Sequence, residues 1–199
     1  VLVQSLNLGV TTMALQMGHE NFYNYMRAFG FGQLTRVDLM AEEAGLIKVP
    51  GDPDWSESDL ATNSFGQGVS VTPLQMITAV SAIANDGLMM QPRVVRQVID
   101  GEQVIDAQPA ALGRPVSAET AQLVSQMMVR VVQDGASQAA LTGYSIAGKT
   151  GTAQIPATIG YEANSSIVTF VGFLPADDPQ AVVLLKLNRP TGYWGTEVA

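Results

Sequence analysis

The stretch Gly148-Lys149-Thr150-Gly151-Thr152-Ala153-Gln154 sets one of the chain's three lysines beside two hydroxyls and two glycines. Glycine carries no Cβ, so the backbone there can approach a ligand closely. Lys149 supplies a fixed positive charge, and the Thr150 and Thr152 hydroxyls can hold an oxyanion. The chemistry this suits is reception of an anion along an extended strand. Gly143, Gly148, Lys149 and Thr150 also match the phosphate-binding pattern G-x-x-x-x-G-K-[ST]. That pattern needs a buried strand before the loop and a helix after it. Here Tyr144 to Ala147 reads as strand, and Gly151 and Pro156 stand where the helix would begin. The later apolar run from Ala181 to Leu185 closes on Lys186 rather than on a metal-binding Asp. The anion-receiving strand is the better reading.

Ser5 and Asn7 are two apart, so an extended or turn segment can point both to one side. Taken alone they read as a polar helix end or turn. His19 is the single histidine, four residues after Leu15 and three before Phe22. It falls within an apolar helical stripe, which predicts a packed, hydrogen-bonded core histidine rather than a catalytic one. Glu42 and Glu43 are adjacent and diverge on a helix, so they read as solvated rather than as an acid–base pair.

The elements that must position these groups follow from local signals. Thr11 or Thr12 can cap a helix running to about Ala28, ended by Phe29-Gly30-Phe31-Gly32. Residues 45–55 form a Gly-, Pro- and Asp-rich loop. Thr72, Pro73 and Gln75 make a capping box with proline at the first helical position. The predicted buried face of that helix is Leu74, Ile77, Val80, Ser81 and Ala84, with Gly87 as the stop. Residues 94–99 and 103–106 read as a hairpin through Asp100-Gly101. Ser117 caps a helix to about Asp134. Three strands close the pattern: 145–154, 166–173 and 181–187, with a polar loop over 160–164 between the first two. This order predicts an α+β fold with an antiparallel sheet.

The chain has 199 residues, 47% hydrophobic and 14% charged, which suits one globular domain. A net charge of −8 argues against a surface that tracks nucleic-acid phosphates. No run of eighteen apolar residues occurs, so no membrane span is predicted within the stretch. Zero cysteines exclude disulfides and thiolate metal sites, and one histidine excludes a multi-histidine metal site.

Four stretches, taken together and in order, resemble the class B penicillin-binding proteins, the cell-wall D,D-transpeptidases. They are Ser5-Leu6-Asn7 as an S-x-N box and Phe65-Gly66-Gln67-Gly68 with Val71-Thr72-Pro73-Leu74-Gln75. Lys149-Thr150-Gly151-Thr152-Ala153-Gln154 is the K-T-G-T box, and Phe170-Val171-Gly172-Phe173-Leu174-Pro175-Ala176-Asp177 follows it. The resemblance implies a penicillin-binding transpeptidase fold, α+β, with helices packed on an antiparallel sheet. It also marks a departure. The family's nucleophile is the serine of S-x-x-K, and the residues three before Lys48, Lys149 and Lys186 are Gly45, Ile146 and Val183. Residues 1–199 therefore read as the C-terminal portion of one transpeptidase domain. The nucleophile helix would lie before Val1 and a closing helix after 199.

The implied activity is serine acyl transfer that cross-links peptidoglycan stem peptides ending in D-Ala-D-Ala, with β-lactams as inhibitors. By resemblance, Ser5 relays a proton, Asn7 holds the substrate amide, and Lys149 supplies positive potential. Thr150 and Thr152 bind the terminal carboxylate, the Thr152 N–H is half of the oxyanion hole, and Gly151 and Gln154 complete the substrate strand. No cofactor, metal or nucleic acid is implied. The parent protein would sit on the outer face of the cytoplasmic membrane, anchored by a segment outside this chain, among cell-wall synthesis partners. Two alternatives stay open: a related serine hydrolase (β-lactamase or D,D-carboxypeptidase), for which Glu57 is the nearest candidate base by sequence, and a non-catalytic sensor or interaction module. The 199 residues alone, without the nucleophile, are expected to be inactive.

Overall fold

The helix start read at Thr72-Pro73-Leu74-Gln75 is present in the computed structural model, which describes residues 1–158 and 160–191. In chain order the helices and strands are α1 (Asn7–Met17), α2 (His19–Ala28), β1 (Leu46–Ile47), α3 (Glu57–Ser64) and β2 (Val69–Ser70). Then come α4 (Pro73–Ala84), β3 (Met89–Met90), β4 (Gln97–Asp100), β5 (Gln103–Asp106), β6 (Ala111–Gly113) and α5 (Ala118–Gly135). The last are β7 (Ala147–Pro156), β8 (Tyr161–Leu174) and β9 (Ala181–Asn188).

β7, β8 and β9 form an antiparallel meander in that order, with Lys149 opposite Val171 and Thr152 opposite Val168. Among the described residues β7 is an edge strand of this sheet. Helix α5 packs along β7, and α4 packs on β9 and against α5. The apolar cluster beneath joins Met128, Ala147 and Phe173, flanked by Val80, Ile83, Val124 and Val182. The fold is α+β, as the order of elements predicts.

A second cluster holds the N-terminal helices together through Ala14, Tyr23 and Leu60, with Phe22, Ile47, Val49 and Trp55 around them. Its centre is polar. Trp55 Nε1 donates to Tyr23 Oη at 3.0 Å. With the Asn63 amide in the orientation that satisfies every partner, Tyr23 Oη donates to Asn63 Oδ1 at 3.0 Å. Asn63 Nδ2 then donates to the Asp59 and Gln67 carbonyls at 3.2 and 3.0 Å. Buried polar atoms are stable only when so satisfied.

The capping box at α4 is complete: Thr72 Oγ1 accepts from Gln75 N at 3.1 Å, and Gln75 Oε1 accepts from Thr72 N at 2.9 Å. Gln75 does more than cap. Its Nε2 donates to the Gln33 and Ala44 carbonyls, each at 2.7 Å, so the side chain is buried and ties the 33–44 loop to α4. Ser117 Oγ accepts from Thr120 N at 3.2 Å and starts α5 as read.

Several expectations are corrected. The single helix to Ala28 is two helices, because Gly18 adopts φ +79° and breaks the run. The first starts at Asn7 rather than at a threonine cap; Thr12 Oγ1 instead donates to the Leu8 carbonyl at 2.8 Å. With the break at Gly18, His19 opens α2 and is exposed, its ring set edge-on to Trp55 at 5.8 Å between centroids. It is not a buried core histidine. The fully buried residues of α4 are Gln75, Thr78, Ala79 and Ala82, a stripe rotated from the predicted one. Glu42 is not simply solvated: its carboxylate accepts from Thr35 N at 2.6 Å, Thr35 Oγ1 at 2.5 Å and Arg36 N at 3.0 Å. β8 begins at Tyr161, so most of the predicted 160–164 loop is strand. Lys149 lies inside β7, and the strand continues past it to Pro156 where the phosphate-loop pattern needs a helix, which leaves that pattern without its architecture.

Candidate active site

The K-T-G-T segment sits in the first half of β7, where alternation points successive side chains to opposite faces. Packing against α5 on one side and hydrogen bonding to β8 on the other hold this strand in place. Gly151 faces Thr169 across the ladder, and a Cβ there would stand 2.5 Å from Thr169 Oγ1. A side chain at 151 would thus force the Thr169 hydroxyl to turn away, so the neighbouring strand favours glycine here as well.

The opposite wall comes from the chain's N-terminal segment. Ser5 sits in a tight turn at φ +48°, closed by Ser5 N to the Leu2 carbonyl at 3.2 Å and Leu6 N to the Val1 carbonyl at 3.1 Å. This turn rests on the end of α5: a Cβ on Gly135 would lie 2.8 Å from the Val3 carbonyl oxygen, so only glycine lets the two backbones meet. Asn7 then opens α1. Thr11 Oγ1 and Ser64 Oγ lie 3.3 Å apart and link α1 to α3.

These pieces enclose a cavity of about 770 Å³ lined by Ser5, Asn7, Ser64, Phe65, Lys149, Thr150, Gly151 and Thr152, among others. Lys149 Nζ donates to Ser5 Oγ and, at 2.8 Å, to the Thr150 carbonyl. Burial pushes the Lys149 ammonium below the ordinary lysine value. A cation in this setting has two acceptors already in place and is poised to meet an anion or exchange a proton.

Of the residues singled out from sequence, Ser5, Asn7, Lys149, Thr150, Gly151 and Thr152 share this cavity. Gln154 does not line it; the residue is exposed, two positions farther along β7. Glu57 is exposed in the first turn of α3, and neither it nor His19 lines the cavity. Ser64, Val10 and Val131 line it without having been singled out. The signal for Ser64 was its place just before Phe65-Gly66, at the end of a helix pinned by Asn63. The same β7 residues also border a second cavity of about 380 Å³, whose other side is Phe65, Val71, Met76, Ile167, Val171 and Leu184. Among the described residues no cluster of His, Cys, Asp or Glu could hold a metal ion.

The description "Penicillin binding protein transpeptidase domain" matches residues 1–199. The chain is 38% identical over 196 residues to stage V sporulation protein D of Bacillus subtilis, covering 96% of this chain and 30% of that protein. It is 30% identical over 204 residues to the probable peptidoglycan D,D-transpeptidase PenA of Neisseria meningitidis serogroup A, covering 100% and 33%. The crystal structure of penicillin binding protein 3 from Mycobacterium tuberculosis, complexed with aztreonam, superposes with a TM-score of 0.87 at 38% identity. That match covers 94% of this chain and 44% of the solved one. The chain thus spans about a third of the length of these curated relatives.

Proposed function

The chain belongs to the penicillin-binding protein transpeptidase domain family, and from that premise we propose that it forms the lysine-bearing part of a serine acyl-transfer site that cross-links peptidoglycan stem peptides. The observation that carries the reading is the contact between Lys149 and Ser5, side chains 144 positions apart that meet within one cavity.

In this reading a D-Ala-D-Ala terminus lies along the open edge of β7 as an added strand. Lys149 and the Thr150 and Thr152 hydroxyls receive its carboxylate; hydrogen bonds to a charged group contribute about 1.5–3 kcal/mol each. Asn7 holds the substrate amide, and the Thr152 N–H faces the developing oxyanion. One such donor is worth roughly 3–4 kcal/mol in the transition state. The attacking serine belongs to an S-x-x-K motif outside these 199 residues. Its hydroxyl gives its proton to the lysine of that motif as the oxygen adds to the scissile carbonyl, and the C–N bond to the terminal D-Ala breaks. Ser5, joined to Lys149, passes a proton to the departing amine. The acyl group then moves to the amine of a second stem peptide. A β-lactam would enter by the same contacts and remain as an ester. Residues 1–199 act as the C-terminal portion of the domain, on the outer face of the cytoplasmic membrane. Among the described residues no helix is long and apolar enough to cross a membrane.

No carboxylate lines the cavity among the described residues, so the geometry offers a deacylating hydrolase no general base there. The test is acylation of the full-length parent by a fluorescent penicillin, with and without Lys149→Ala. Loss of about 10²-fold or more in acylation rate is expected. A rate that the substitution leaves unchanged would overturn the assignment.

A further inference from the structure

The tetrapeptide Gln-Val-Ile-Asp occurs twice, at 97–100 and 103–106, and its copies are the two strands of one hairpin, β4 and β5. Every residue of both strands is exposed. Val98, Ile99, Val104 and Ile105 each leave more than half of their surface in water. A hairpin of two strands is marginal by itself and gains stability from a third. Natural edges are usually blunted by Lys, Pro or bulges. The paired residues here include no Lys or Pro, and their register runs without a bulge.

The direction of the backbone groups can be read from the ladder. Ala107 N donates to the Arg96 carbonyl at 3.0 Å, and the register continues through Val98 opposite Ile105 and Asp100 opposite Gln103. In an antiparallel ladder hydrogen-bonded and non-hydrogen-bonded pairs alternate. Arg96, Val98 and Asp100 therefore bond inward to β5, while Gln97 and Ile99 direct their N–H and C=O groups away from it. Toward the start of the strand the Asp38 carboxylate takes the Val94 and Val95 N–H groups, each at 2.7 Å. The open edge of β4 thus runs from Arg96 to Asp100.

We propose that this edge pairs antiparallel with the same edge of a second copy of the chain, about a two-fold axis through Val98, so that two hairpins become one four-stranded sheet. In that register Gln97 of each copy exchanges backbone hydrogen bonds with Ile99 of the other, and Val98 meets Val98. Arg96 of each copy stands opposite Asp100 of the other, on the same face. Opposite charges directly across a sheet stabilise it and like charges oppose it. The charges select this edge: the matching arrangement of β5 about Ile105 sets Asp106 opposite Val104 and Gln103 opposite Ala107, with no charge pair. Glu102 of each copy falls just past the ladder, near Asp38 of the other, so two like-charge contacts at the ends oppose the two Arg96–Asp100 pairs, which stand directly opposed within the ladder. A two-fold contact of this kind is self-complementary and closes at a dimer. The inference does not rest on the acyl-transfer reading, because the hairpin lines neither cavity described above.

The test is sedimentation equilibrium up to about 0.5 mM, where weak self-association is measurable. The wild-type chain should form a reversible dimer. Arg96→Glu alone and Asp100→Arg alone should each raise the dimer dissociation constant by about tenfold or more. An equimolar mixture of the two variants should dimerise again, since the substituted side chains then face each other with opposite charge. That rescue also shows that both variants are folded. Val98→Cys should cross-link to a covalent dimer under mild oxidation, as a directly opposed, non-hydrogen-bonded pair allows. A wild-type chain that stays monomeric, a dimer indifferent to both charge reversals, or a mixture that is not rescued would overturn the proposal.

Discussion

Lys149 donates to Ser5 from β7, an edge strand of the sheet among the described residues, to a turn that precedes the first helix, so that strand and turn meet at one cavity. The cation is half-buried, and that burial lowers its pKa from the ordinary 10.5.

A pH profile follows with a definite sign. The protonated ammonium is the form that attracts a carboxylate, and it is present below its own lowered pKa. Acylation of the parent protein by penicillin should therefore fall as pH rises, along an alkaline limb centred below 10.5. Ser5→Ala removes an acceptor that favours the charged form, so it should move the limb to lower pH still. Stopped-flow acylation across alkaline pH checks this; a rate that stays flat through 10.5 would count against a charged Lys149 at the ligand.

Tyr23→Phe should destabilise the protein by about 1–3 kcal/mol, because it leaves Trp55 Nε1 and the buried Asn63 amide without their shared partner. Urea unfolding measures it. A change within about 0.5 kcal/mol would show the polar centre of the N-terminal cluster to be dispensable.

Acid should release the Asp38 clasp. The Val94 and Val95 N–H groups that bond to its carboxylate hold its pKa below the ordinary 3.8. A carboxylate depressed in the folded state contributes stability above the unfolded value, and loses it as pH falls through the folded one. The difference in melting temperature between wild type and Asp38→Asn should thus be full above pH 3.8 and shrink below it. An acid-independent difference would assign the clasp no electrostatic role.

The 199 residues alone should form no covalent penicillin adduct. No serine precedes a lysine by three residues, and Ser5, although bonded to Lys149, is read as a proton relay. An unactivated hydroxyl is a poor nucleophile at neutral pH. Intact mass after incubation with penicillin decides it, and a stoichiometric adduct mapped to Ser5 would make that residue the nucleophile.

What the sequence by itself determined lies within a few residues of each signal. Thr72, Pro73 and Gln75 announced α4, Ser117 announced α5, and Gly148 to Gln154 announced a strand. Caps and strand alternation depend on neighbours three or two positions away, so the residues themselves record them. Burial depends on partners that the local pattern does not name. Gln75 is buried because the Gln33 and Ala44 carbonyls need its amide, and His19 is exposed because Gly18 turns the chain before it. Glycine at 151 answers to Thr169 on the next strand, and glycine at 135 to Val3. The meeting of Ser5 with Lys149 is of the same kind. Each residue type hints at chemistry, but only the packing of the N-terminal turn on the end of α5 brings one hydroxyl to one ammonium, because a contact across 144 positions is decided by which surfaces pack together.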